Sequence, residues 1–329
     1  MKALYWHWEE EDVRCDLCPH LCLIPPGKRG FCRVREHVPN EGLTTLTYGM
    51  FSSVAVDPME KKPLYHFLPG NSVLSLGSVG CNMSCPFCQN WHISTWMRQI
   101  EMSYIGVDDL ISLAKKHRSK AVAFTYNEPL ICFEYLLDAM PALKKEEIKT
   151  VLVTNGLINS FPLKDLLPHV SAANVDLKAF DESTYMKLGG DLQAVQSTLK
   201  SMVSCDVHVE ITHLLVTGIN DDLAKFERMC SWIAGELGKG IPLHISRYFP
   251  AYKWNKTPTD MLLLKKAKEI ALRYLNFVYL GNVPDDSDTY CPKCGKLVIK
   301  RRGYDVSLLA VSPDGTCSVC GSDLGIVLF

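Results

Sequence analysis

Residues 81–91 read CNMSCPFCQNW, which places Cys81, Cys85 and Cys88 within eight residues. Thiolates are soft ligands that suit iron and zinc. A cubane 4Fe–4S cluster takes one thiolate per iron, so three cysteines leave one iron open to a substrate or cofactor. A zinc ion completed by a distant fourth ligand such as His92 is the alternative for this spacing. The compartment bears on that choice. The opening stretch MKALYWHWEEEDVR carries acids where a signal peptide needs an apolar run, and no run of about 18 apolar residues occurs, so a cytoplasmic address is expected. Thiols there stay reduced, and clustered cysteines then point to metal or catalysis.

Eleven of the fourteen cysteines fall into three such groups. CPKCG (291–295) and CSVCG (317–321) pair two CxxC knuckles 22 residues apart, with Cys291, Cys294, Cys317 and Cys320 as ligands. Four thiolates close a coordination sphere, so this group is expected to be a zinc ribbon or a rubredoxin-like iron site. Cys15, Cys18, Cys22 and Cys32 form the third group, with PPGKRG as the turn that brings Cys32 back. Zinc, a second iron–sulfur cluster and no metal at all are its open readings. Cys132, Cys205 and Cys230 stand singly near apolar neighbours and read as small hydrophobes.

Something must position these groups. Apolar runs at 72–80, 121–126, 150–155, 172–178, 207–216 and 242–248 alternate with helical patterns such as DDLISLAKKH, LLDAMPALKKEEI, DLQAVQSTLKSMV, LAKFERMCSWIAGEL and DMLLLKKAKEIALRYL. That alternation predicts parallel strands with crossover helices, an α/β fold read as a partial (β/α)6 TIM-like barrel. Three segments are expected: 1–70, a Cys-rich module and lead-in; 71–284, the barrel; and 285–329, the ribbon-like module. Apolar residues make up 47% and charged residues 22%, which suits a folded chain and not a disordered one. A formal charge of −1 provides no global field for nucleic acid or anionic lipid, and Lys300, Arg301 and Arg302 read as a solvated basic spot.

In such a barrel functional residues gather at the carboxyl ends of strands. After the successive runs come CNMSCPFC, then NEP, then NG, with DLK at the end of the fourth and HISRY within the sixth. A turn needs no Cys, Glu, Lys and His at successive strand ends, so the set points to one catalytic mouth.

With Phe87 before its last cysteine, the CxxxCxxC spacing resembles the signature of the radical S-adenosylmethionine (SAM) superfamily. The stretches EKKPLYHFLPG, GCNMSCPFCQNWHIS, TYNEP, VEITHLLVTGIND, ISRYFPAY and YLGNVP together resemble the AmmeMemoRadiSam system radical SAM enzymes, relatives of the pyruvate formate-lyase activating enzymes. That resemblance covers nearly the whole chain. It implies a 4Fe–4S cluster on Cys81, Cys85 and Cys88 that cleaves S-adenosylmethionine to a 5'-deoxyadenosyl radical, which takes hydrogen from a substrate, a protein or RNA among the options. It also implies that Phe87, Asn127, Glu128, Thr154, Asn155, Asp176, Lys178 and His244 bind the cofactor. Glu128 would hold the methionine ammonium, and Asp176 and Lys178 would lie near its carboxylate and the ribose. Val153 stands where the activases tend to have Asp, which is a departure. The implied partners are a flavodoxin- or ferredoxin-type electron donor and Memo-like and AMMECR-like proteins. Within the enzyme class the alternative is a glycyl-radical activase; outside it, a non-catalytic zinc-binding scaffold.

Overall fold

Six of the apolar runs become neighbouring strands of one sheet, as their continuous burial requires. The computed structural model describes residues 1–95, 100–284 and 287–329. Its main sheet has eight strands in chain order, β1 (Ser53–Pro58), β2 (Ser72–Gly77), β3 (Ala121–Phe124), β4 (Lys149–Thr154), β5 (Ala172–Asp176), β6 (His208–Leu215), β7 (Leu243–Arg247) and β8 (Val278–Gly281). From β2 to β8 every neighbouring pair is parallel; β1 runs antiparallel to β2. β1 and β8, the two edges, are the strands that the apolar pattern does not reveal. β1 exposes Val54 and Val56 on its free side, and β8 is only four residues long.

Parallel neighbours need crossovers, and a helix lies between each consecutive pair from β2 onward. These are α1 (Val107–Lys116), α2 (Phe133–Lys145), α3 (Ser160–Leu166), α4 (Leu192–Ser204), α5 (Leu223–Trp232) and α6 (Met261–Ala271). Asp191, Asp222 and Asp260 accept backbone N–H bonds at the starts of α4, α5 and α6, which satisfies donors that a helix start leaves free. With helices covering it, the sheet buries whole strands; all four residues of β3 are buried.

The ends of the chain are small antiparallel units. Trp6–Glu9, Asp12–Cys15 and Leu23–Ile24 form a three-stranded sheet, followed by a hairpin of Arg35–Val38 and Gly42–Thr45. Thr289–Tyr290, Leu297–Arg302 and Asp305–Leu308 form the C-terminal one. The expected boundary at 284/285 meets residues 285 and 286, which lie outside the described residues. β1, within the expected lead-in, contributes to the main sheet.

The basic spot is not a solvated face throughout. Strand alternation turns Arg301 inward, where it is 1% exposed, while Arg302 stays outside. Arg301 donates to the carbonyl of Tyr65 at 2.6 Å, to that of Ser287 at 3.0 Å and to the Thr289 hydroxyl at 2.7 Å. It stacks over the Tyr65 ring, and its Nε lies 3.9 Å from buried Glu60. One guanidinium thus ties the C-terminal sheet to the segment before β2. Replacing Arg301 with Met leaves Glu60 and the carbonyls uncompensated, and should cost about 3–5 kcal/mol in urea unfolding. Arg302→Met should stay within about 0.5 kcal/mol. Equal losses in the two variants would contradict this account of the docking.

Candidate metal and cofactor site

The loop after β2 carries Cys81, Cys85 and Cys88, and side chains from the next two strand ends hold it. Asn127, after β3, accepts from the Ser78 N–H at 2.9 Å and donates to the carbonyls of Val79 (3.1 Å) and Gly80 (3.0 Å). Gly80 has φ +83°, and a Cβ there would sit 2.6 Å from Val34 Cγ1 and 2.7 Å from the Cys32 carbonyl oxygen, so only glycine lets the loop enter. Asn90 closes the far side by donating to the Tyr126 carbonyl at 2.8 Å. After β4, the Asn155 amide donates to Asn82 Oδ1 at 2.9 Å and lies 3.7 Å from the Cys81 sulfur. The Met83 N–H also points at Cys81 Sγ, at 3.4 Å, and Cys88 Sγ lies 3.3 Å from Ser94 Oγ.

Glu128 is 2% exposed. Its carboxylate accepts from the Thr154 hydroxyl at 2.6 Å, the Asn155 N–H at 2.7 Å and the Leu130 N–H at 3.0 Å. Burial nevertheless pushes its carboxyl from 4.5 up to about 7, because these three bonds only partly offset desolvation. Across the same space Lys178 donates to Asp176 at 2.8 Å. Burial disfavours the Lys178 charge, but the Asp176 carboxylate outweighs it and holds the ammonium charged.

These strand ends open on one cavity of about 1090 Å³. Cys81, Cys85, Cys88, Phe87, Asn127, Glu128, Thr154, Asn155, Asp176 and Lys178 reach it, as does Val153. His244 does not. Along β7, residues 244 and 246 share a face, and Ser246 at the strand end lines the cavity, whereas His244 sits one layer deeper. There it is 2% exposed and bonds Glu210 at 2.6 Å, so it is a satisfied core histidine. Sequence reasoning assigned no role to Thr212 or Lys62. Thr212 is buried with its hydroxyl unpartnered and faces the cavity. Lys62 is buried, donates to Asp57 at 2.6 Å and lies over the Tyr126 ring. The strand-end rule that found Asp176 would also have found Ser246, but Lys62 comes from outside the strand and helix alternation.

The three cysteine groups differ in closure. Among the described residues, the ligand atoms of Cys291, Cys294, Cys317 and Cys320 alone all lie within 4.8 Å of one another, with sulfur pairs at 3.5 and 3.8 Å. A tetrahedral ion with bonds of about 2.3 Å needs that spacing. Cys15, Cys18, Cys22 and Cys32 instead surround a small cavity. The spread of Cys81, Cys85 and Cys88 around open space fits a group larger than one ion, and no fourth cysteine lines their cavity.

The family model of the radical SAM superfamily matches residues 76–233. The chain is 35% identical over 330 residues to an uncharacterized protein of Methanocaldococcus jannaschii, covering 98% of each. It is 27% identical over 152 residues to the pyruvate formate-lyase 1-activating enzyme of Escherichia coli, an alignment that covers 44% of this chain and 61% of that one. In fold it resembles a radical SAM methyltransferase from Sphaerobacter thermophilus, with a TM-score of 0.50 at 16% identity over 64% of this chain and 66% of the other.

Two outcomes follow from the geometry. The raised Glu128 carboxyl makes the native state hold an extra proton between pH 4.5 and about 7, so stability of metal-free protein falls as pH rises through that window and is level above it. The loss is about 3 kcal/mol. Urea unfolding at several pH values should show Glu128→Gln gaining by that amount on the parent across the window; a constant gap between them would refute it. In the C-terminal group, Cys291→Ser combined with Cys317→Ser should release about one metal ion per chain. Metal retained at the parent level would show that these four do not form a single-ion site.

Proposed function

The chain belongs to the radical SAM superfamily and is an enzyme, and from that premise we propose that Cys81, Cys85 and Cys88 hold a 4Fe–4S cluster beside a bound S-adenosylmethionine. Cys81, Cys85 and Cys88 would hold the cluster, and it would supply the electron for reductive cleavage of the cofactor and so the radical chemistry that removes hydrogen from a substrate. The observation that carries the reading is Glu128, a buried carboxylate with three fixed donors and, among the described residues, no ion-pair partner, facing the same cavity as three unclosed thiols.

The chain's own side chains supply orientation and charge. Thr154 and the Asn155 N–H aim the Glu128 carboxylate, which would accept an N–H of the cofactor's amino group through a charge-assisted bond. Lys178, held charged by Asp176, would neutralise the cofactor carboxylate, and Asp176 would face the ribose. The Asn155 amide and Met83 N–H donate toward the Cys81 sulfur, the kind of bond that tunes a cluster's potential. Phe87 offers an apolar wall that limits water. With strands feeding one cavity, the parallel sheet is read as the wall of a partial (β/α)6 barrel.

A cavity of about 1090 Å³ exceeds the roughly 300–1000 Å³ usual for a pocket that takes one small ligand, which leaves room for a substrate beside the cofactor. A second reading, in which the hydrogen comes from a glycine of a partner enzyme, is favoured by the 27% identity to the pyruvate formate-lyase 1-activating enzyme. A flavodoxin- or ferredoxin-type donor supplies the electron in both. The AmmeMemoRadiSam likeness adds Memo-like and AMMECR-like companions in the cytoplasm.

Glu128→Gln should keep the cluster but weaken S-adenosylmethionine binding about ten- to a hundredfold, the equivalent of roughly 1.5–3 kcal/mol for a charged hydrogen bond. Titration and 5'-deoxyadenosine formation with dithionite measure it. Glu146→Gln, which breaks an exposed pair with Lys115, is the control and should change neither. Parent affinity and rate in the Glu128 variant would remove Glu128 as a cofactor ligand.

A further inference from the structure

The N-terminal cysteines are not used by this proposed chemistry, yet they are gathered. Cys15, Cys18, Cys22 and Cys32 come from a strand, two turns and the loop before the hairpin, and all four line one small cavity whose other walls include Leu17, Ile24 and Ile131. Their sulfurs stand apart around that space, in contrast to the C-terminal four, whose sulfurs meet. The surroundings aim N–H donors at these sulfurs. Arg35, 1% exposed, is ion-paired with buried Glu134 and also reaches the cavity, where it donates to Cys15 Sγ at 3.3 Å. The Phe31 N–H points at Cys22 Sγ at 3.4 Å. A buried guanidinium and N–H donors aimed at sulfur are what a thiolate-held cluster needs once its negative charge is taken out of water.

Position adds a second argument. Gly30 and Phe31 line both this cavity and the large one, so one layer of side chain separates the two. His20 stacks on Phe31 with ring centroids 4.1 Å apart, and its Nε2 bonds the carbonyl of Asn82, the residue after Cys81, at 2.8 Å. A structural ion could sit anywhere in the fold; this site shares a wall with the CxxxCxxC loop.

We propose that Cys15, Cys18, Cys22 and Cys32 hold a second 4Fe–4S cluster, fully ligated by thiolates, which passes one electron from a low-potential donor to the cluster site on Cys81, Cys85 and Cys88. In that step a flavodoxin- or ferredoxin-class donor loses one electron, and the second cluster gains it and then gives it up to the neighbouring cluster, which is reduced by one. No bond forms or breaks. The transfer step rests on the function proposed above; the second cluster itself does not.

The test uses the full chain reconstituted anaerobically with iron and sulfide, and counts acid-labile sulfide, because the C-terminal four could take iron without it. The parent should hold about eight sulfides, and a Cys81→Ala, Cys85→Ala, Cys88→Ala variant about four, with a cluster signal on reduction by dithionite. Cys18→Ala with Cys22→Ala should also hold about four and keep dithionite-driven cleavage of S-adenosylmethionine. The reduced parent's paramagnetic resonance spectrum should be broader than the sum of the two variants' spectra, because two neighbouring spins couple. No sulfide in the triple variant would overturn the second cluster, whether the site then held zinc or nothing, and would leave the function standing. Full parental sulfide in the triple variant would instead overturn the assignment of Cys81, Cys85 and Cys88. A parent spectrum equal to the sum would refute the relay.

Discussion

A carboxylate buried with too few charges around it organises this molecule. Glu128 gives up water and receives three hydrogen bonds in return, from Thr154, Asn155 and Leu130, and that return is incomplete. A buried acid in this state either takes a proton or a cation. The fold pays to keep it there because the same bonds lock the ends of β3 and β4 together, and Asn127 and Asn155 extend the lock to the cysteine loop after β2. Displacing Glu128 would therefore loosen the geometry of the thiols as well as remove a charge. Lys178 and Asp176 on the next strand balance each other at the opposite side of the cavity.

Much of this was legible in the chain because parallel strands covered on both faces read as unbroken apolar runs. Ala121–Phe124 and Ala172–Asp176 sit where AVAF and AANVD predict them. Polar residues at strand ends then marked the cavity, and Glu128, Asp176 and Lys178 all reach it. The failures have local causes. β1 lies at an edge and leaves two valines in solvent, so its pattern resembles a loop. His244 and Ser246 have the same orientation on β7, and depth along the strand, which a motif does not encode, decides which one meets the cavity. Arg301 was read with its charged neighbours, but strand alternation and the carbonyls of Tyr65 and Ser287 make it an internal cross-link.

The cysteines show how far spacing alone can go. CxxC pairs and the CxxxCxxC run all announce metal, but what separates a closed ion site from an open one is the distance between sulfurs and the space they enclose. The C-terminal four meet, whereas the other two groups line cavities. Spacing in the chain constrains each knuckle, and tertiary packing, such as Gly80 passing against Val34 and Cys32, decides how the knuckles face one another.

The central claim is that the three thiols leave an iron open to the cofactor at a distance set by Glu128. Electron–nuclear double resonance on the reduced protein, with S-adenosylmethionine carrying a magnetic nitrogen isotope in its amino group, tests it directly. The account predicts a hyperfine coupling between that nitrogen and the cluster, present in the parent and lost with the cluster in the variant lacking Cys81, Cys85 and Cys88. A cofactor that binds by titration while the cluster signal shows no nitrogen coupling would contradict it.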